Sequence, residues 1–187
     1  MSRDECQSAD WYTIGYQDGL QGRVSRPVAE QHHEACARRD VAAQVVRYTE
    51  GRADGLKQFC SPRNGFRLGL EGVHYSGACP AGAEQEFLPA YAQGKEIFES
   101  ELQIRRLGEI LQVNTTELRN LTVSVQQKEV EMQAQDTTPK RRADLISEMT
   151  DLQETVAMVE TEISGIEAAL DEESRHLQNL RGSTRYR

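Results

Sequence analysis

The sequence predicts an all-α protein: a small disulfide-stapled helical head followed by a long antiparallel coiled-coil hairpin. Three observations predict it. Apolar residues beyond Lys95 recur at alternating intervals of three and four, the period of a coiled-coil seam. The first 82 residues repeat an aromatic-x-x-Gly unit and hold all 4 cysteines. The head shows none of the strict alternation that marks a half-buried strand.

The chain divides sharply at Cys79-Pro80-Ala81-Gly82. Residues 1–82 hold 10 Lys/Arg against 10 Asp/Glu, and 10 of the 14 Gly. Residues 83–187 hold 12 Lys/Arg against 20 Asp/Glu, so the whole net charge of -8 lies there. This predicts a head over 1–82 and a helical hairpin over 83–187, with arms at about 84–135 and 139–181. An acidic chain lacks the basic footprint of a nucleic-acid binder. No apolar run approaches the ~18 residues of a membrane-spanning helix.

Within the head, Tyr12-Thr-Ile-Gly-Tyr-Gln-Asp-Gly-Leu20 and Tyr48-Thr-Glu-Gly-Arg-Ala-Asp-Gly-Leu56 match at an offset of 36. Weaker copies are Phe66-x-x-Gly69-x-x-Gly72 and Tyr91-x-x-Gly94. Residues three and four apart share a helix face. Gly15 with Gly19, and Gly51 with Gly55, therefore make smooth stripes beside Tyr12 and Tyr48, on which another helix can approach closely. Each glycine costs a helix ~1 kcal/mol, which the packing must offset. The alternative is that Gly19 and Gly55 end their helices as left-handed caps. Four short helices are expected in the head. Ser25-Arg-Pro27 opens one running to Cys36, Asp40 caps one over Val41–Phe59, and Ser61-Pro62 starts another. Gly72–Gly82 reads as loop.

Cys6, Cys36, Cys60 and Cys79 are an even set in a head too small to bury a large core, which points to two disulfides. Three pairings exist. Cys6–Cys36 with Cys60–Cys79 is favoured because each pair brackets one segment. The competing readings are free thiols, and a zinc site or redox module using these cysteines with His33, three residues before Cys36; the absence of any C-x-x-C argues against zinc. His32 and His74 read as surface or cap residues. Disulfides imply an oxidising compartment. The opening Met-Ser-Arg-Asp-Glu-Cys carries no apolar signal segment, so either Met1 stands in place of a removed one or the protein is cytosolic, and the cysteine pattern favours the first.

In the second half the first arm presents Ile97, Ser100, Ile104, Leu107, Leu111, Asn114, Leu118, Leu121, Val125, Lys128 and Met132. The second presents Leu145, Met149, Leu152, Val156, Val159, Ile163, Ile166, Leu170, Glu173, Leu177 and Leu180. Folded at Asp136-Thr-Thr-Pro139, every facing pair sums to 277, with Leu111 opposite Ile166 and Leu121 opposite Val156. Thr138 serves as N-cap and Pro139 as first helical residue. Asn114 and Lys128 either fix the register or reach solvent at the seam's edge. Ile110, Val113, Val123, Val130, Ile146 and Ala169 fall off the seam, which predicts self-association or a helical protein partner. Lys140-Arg-Arg142 at the tip is expected to pair with Glu129, Glu131 or Asp144; the alternative is that it binds an acidic partner. The sequons at Asn114 and Asn120 lie inside the helix and read as chance matches.

No phosphate loop, H-E-x-x-H or G-x-S-x-G is present, and no cofactor is called for. Asp18 and Asp54 hold equivalent repeat positions, so they read as structural rather than catalytic. Taken together, Cys6, Trp11-x-x-x-Gly15-x-x-Asp18-Gly19, His33-x-x-Cys36, Tyr48-x-x-Gly51-Arg52-x-x-Gly55-Leu56, Phe59-Cys60, Asn64-Gly65, Gly69 and Tyr75-x-Gly77-x-Cys79-Pro80 resemble the Domain of Unknown Function 2799 family, over about residues 5–98. The resemblance implies a small proteobacterial envelope lipoprotein, periplasmic or at the outer membrane, with its lipid anchor outside this sequence; it implies no activity. Gly72-Val73-His74 departs from a more glycine-rich family stretch. The expected function is a non-enzymatic envelope protein with a structural or adaptor role through the hairpin.

Overall fold

The computed structural model describes residues 3–23, 34, 36, 37 and 44–186. The helices with described bounds are α1 (Arg3–Ser8), α2 (Trp11–Leu20), α3 (Val45–Phe59), α4 (Pro62–Leu70), α5 (Ala81–Gln133) and α6 (Pro139–Ser183), and residues 34, 36 and 37 are also helical. Among the described residues there is no strand. The contacts form two compact units, Met1–Glu99 with Leu180–Arg187, and Ser100–Asn179. The Ser25–Pro27 helix start, His32, His33 and the Asp40 cap lie outside the described residues. The described part of α3 begins behind Gln44.

The local starts follow their side chains. Asp10 caps α2 by accepting from the Thr13 amide at 3.2 Å. Ser61 caps α4, with Pro62 in its first turn. Thr138 accepts from the Arg141 amide at 3.2 Å ahead of Pro139. Pro89 lies inside α5, where it removes one helical hydrogen bond. Pro89 and Gln85, whose carbonyl loses its partner, are both solvent-exposed.

The head consists of two glycine-packed helix pairs. A Cβ on Gly15 would collide with the Tyr48 carbonyl, one on Gly19 with the Arg52 carbonyl, one on Gly51 with the Tyr12 carbonyl and one on Gly55 with the Tyr16 carbonyl. Gly19 and Gly55 thus serve close packing rather than capping. Residue numbers rise together across the contact, so α2 and α3 run parallel. α4 meets the start of α5 in the same way: Cβ atoms on Gly69 and Gly94 would strike the carbonyls of Tyr91 and Phe66, and one on Gly65 would lie 2.7 Å from that of Phe87.

The caps fall three residues further on. Gly22 (φ 63°) and Gly72 (φ 66°) adopt the left-handed conformation that glycine takes without penalty. The rings of Phe59 and Phe98 lie against them, and the backbone bonds Arg23 N–H to Asp18 O (3.1 Å) and Val73 N–H to Leu68 O (3.0 Å) close both helix ends alike. The two pairs are therefore copies of one unit: α2 matches α4 at an offset of 50, and α3 matches the start of α5 at an offset of 39.

Parallel neighbours bring two helix starts together, and the disulfides lie near those starts. Cys6–Cys36 joins residues ahead of α2 and α3, and Cys60–Cys79 joins residues ahead of α4 and α5. Each disulfide is packed beneath a ring of the second helix. Cys6 and Cys36 cluster with Trp11 and Tyr48, and Cys60 and Cys79 with Leu56, Leu68 and Phe87.

α5 and α6 pack against each other as an antiparallel hairpin. All eleven seam positions of each arm are buried or half-buried, and Leu145, Val159 and Leu177 of α6 are buried. Most flanking positions are exposed.

Candidate functional site

Two groups of side chains carry the head's polar chemistry, and they cross between the repeats. The Tyr48 hydroxyl donates to Asp18 Oδ2 at 3.0 Å, and Arg23 donates to Asp18 Oδ1 at 2.9 Å. Reciprocally, the Tyr12 hydroxyl donates to Asp54 Oδ2 at 2.8 Å, and Lys57 donates to Asp54 Oδ1 at 2.7 Å. Asp18 is buried, whereas Asp54 is half-exposed. Burial, followed by the Asp18 hydrogen bond, pushes the Tyr48 phenol up to about 12. The Asp54 bond raises the Tyr12 phenol, and Lys57 with Tyr12 holds the Asp54 carboxyl below the usual range. Each tyrosine is thus a standing donor to the other repeat, which locks the register of α2 on α3. A similar clasp closes the loop before α5. The Tyr75 hydroxyl donates to Glu84 at 2.7 Å and accepts from the Cys79 amide at 2.9 Å. Its phenol is also pushed up to about 12, by burial first.

All four cysteines are paired as Cys6–Cys36 and Cys60–Cys79, and none is free. Their exposures run from 0% to 7%, so no sulfur is presented to an attacking thiolate. Among the described residues no group of three or more His, Cys, Asp or Glu is placed to hold a metal. His74 is exposed, and His33 lies outside the described residues.

The repeat residues Gly15, Gly19, Gly51, Gly55 and Gly69 meet across helix contacts, beside Tyr12, Tyr48 and Phe66. The seam residues Leu107, Leu111, Leu118, Leu121, Val156, Ile163 and Ile166 are half-buried, and Val159 is buried. Polar groups interrupt this seam. Buried Ser100 donates to Glu173 across it. Asn114 donates to Glu162 Oε2 at 3.2 Å, and Lys128 pairs with Glu148. Both side chains are half-buried and send their polar ends to a glutamate on the seam's edge.

At the tip Arg141 bridges Glu131 and Glu148, each at 2.7 Å. Arg142 donates to the carbonyls of Met132, Ala134 and Thr137. Arg141 and Arg142 are thus engaged within the tip, while Lys140 is exposed. Off the seam, Ile110, Val113, Val123, Val130 and Ile146 are exposed, while Ala169 is half-buried. Val113, Glu117, Asn120, Leu121 and Ser124 line part of a shallow groove of about 510 Å³ on α5.

Sequence reasoning missed the capping glycines and the crossed tyrosine–aspartate bonds. The spacing Gly-x-x-x-Gly-x-x-Gly occurs at 15, 19, 22 and again at 65, 69, 72, and that signal marks both the packing stripe and its cap. Tyr12/Asp18 and Tyr48/Asp54 share one spacing, but spacing alone does not show that each tyrosine serves the other copy.

Comparison with known proteins agrees with the head. Among the described residues no helix is long and apolar enough to cross a membrane. No curated protein and no solved structure matches the chain. A family model described as a protein of unknown function, DUF2799, matches residues 10–96, the stretch that holds both glycine-packed pairs. Over residues 10–96 the chain resembles the DUF2799 family.

Proposed function

We propose that the chain is a non-enzymatic protein of the bacterial cell envelope, periplasmic or tethered to the outer membrane by a lipid outside this sequence, and that its hairpin is an interaction arm. The pairing of all four cysteines within the head supports an oxidising compartment. The observation that carries the interaction role is the hairpin: it uses its apolar seam on itself and leaves apolar and acidic side chains open on its outer faces. The saturated tyrosine–aspartate pairs support a structural part for the head's acids.

Photo-crosslinking in the native host tests this reading. A photoreactive residue at Val123 or Val130 should give a discrete protein adduct, and the same residue at exposed Thr13 or Gln17 should not. Adducts from the head alone would contradict the arm.

A further inference from the structure

We propose that one flank of the hairpin, built from Ile110, Val113 and Glu117 on α5 and Met158, Glu162 and Gly165 on α6, docks a basic amphipathic helix of a partner protein. This rests on the reading of the hairpin as an interaction arm and names the chemistry of its partner.

The tip supplies the geometry. Arg141 bridges Glu131 and Glu148, so these two glutamates border the same edge of the seam. Two heptads along each arm, away from the tip, the same positions are Glu117 and Glu162. Asn114, bonded to Glu162, confirms that Glu162 lies beside α5 there. At the tip the carboxylate pair is closed by Arg141 and Lys128. Among the described residues, Glu117 and Glu162 have no Lys or Arg partner. From 143 to 174 the chain has 10 Asp/Glu and no Lys/Arg, and from 107 to 127 its one basic residue is Arg119. Arg119, two residues from Glu117, points to a different face. The flank is therefore a carboxylate pair lacking the cations that the tip provides from within.

Apolar surface lies beside those carboxylates. Val113 is 65% exposed and Met158 60%; Met158 is four residues before Glu162 and shares its face. Ile110 stands one turn before Val113. Gly165, one turn after Glu162, has open space where a side chain would be, so a helix can approach closely there. The complement to this surface is a helix with Leu-like residues on one face and Lys or Arg at its borders. A second copy of this chain would bring the same unpaired acids and is disfavoured by like charge.

A fluorescein-labelled leucine–lysine helix, and the same peptide with every lysine replaced by glutamate, test the proposal by anisotropy against the full chain. The lysine peptide should bind and the glutamate peptide should not. Val113→Glu with Met158→Glu, or Glu117→Gln with Glu162→Gln, should weaken binding about tenfold or more, the size of an interface hot spot. Ile146→Glu, two residues from Glu148 and so off this flank, should leave binding unchanged, and circular dichroism should show every variant helical. No binding of the lysine peptide, equal loss with Ile146→Glu, or a dimer of the chain in sedimentation that Val113→Glu abolishes would each overturn the proposal. A hairpin crosslink to a partner alongside unaltered peptide binding by the flank variants removes this flank and leaves the arm standing. Loss of every hairpin crosslink removes the arm itself and the proposal with it.

Discussion

Gly15 and Gly108 are both helical glycines, and their surroundings give opposite expectations. A methyl on Gly15 meets the backbone of α3, which cannot move aside as a side chain could. Gly15→Ala should destabilise the head by about 1–3 kcal/mol or more, the cost of overpacking. The urea midpoint followed through Trp11 fluorescence measures it. Gly108 meets nothing within 4 Å, so Gly108→Ala should stabilise the hairpin by about 0.5–1 kcal/mol, the helix-propensity gain alone. Tyr48 predicts an alkaline transition. Its phenol, ordinarily near 10, is raised in the folded state to about 12. Its contribution is therefore complete below pH ~10 and is lost as pH rises through ~12. Unfolding free energy measured across that window should fall, and Tyr48→Phe should flatten the fall to the part left by Tyr12, Lys57 and Tyr75.

At the scale of the elements, the long helices were legible because a heptad seam declares itself by period alone. Thr138-Pro139 marks the fold-back, and the shared sum of 277 gives a register with which the Asn114–Glu162 and Lys128–Glu148 contacts are compatible. Cysteines introduced at Leu118 and Val159 should bridge efficiently within one chain; efficient bridging only in another register would remove that alignment. The head was legible as a set of helices and disulfides but not as parallel pairs. A Gly15/Gly19 stripe says that a helix comes close without giving its direction, and the crossings depend on the long returns from α2 to α3 and from α4 to α5. Nor does the acidity of the second half show that Lys128 and Arg141 meet around Glu148, since that depends on the fold-back. These contacts predict the hairpin's acid behaviour. Arg141 depresses Glu131, and Lys128 with Arg141 depresses Glu148. Their contribution is present above the ordinary carboxylate value of 4.5 and is lost as pH falls through the lowered folded values. Protection factors of the amides across residues 128–148, taken against the intrinsic exchange rate at each pH, should fall on acidification below that value, and Arg141→Gln should raise the pH at which the fall begins.

At the scale of the whole molecule, the chain joins a twice-repeated head, closed by two buried disulfides, to a hairpin whose seam is its own. The disulfides connect the fold to the proposed compartment. A small head with limited core gains ~2–4 kcal/mol from each, and four free thiols in their place would reopen metal binding. Peptide-mapped mass spectrometry of the unreduced full chain, isolated from its host, tests this most directly. The account predicts no free thiol and two linked peptide pairs, Cys6 with Cys36 and Cys60 with Cys79. Four free thiols, or zinc held by them, would contradict it.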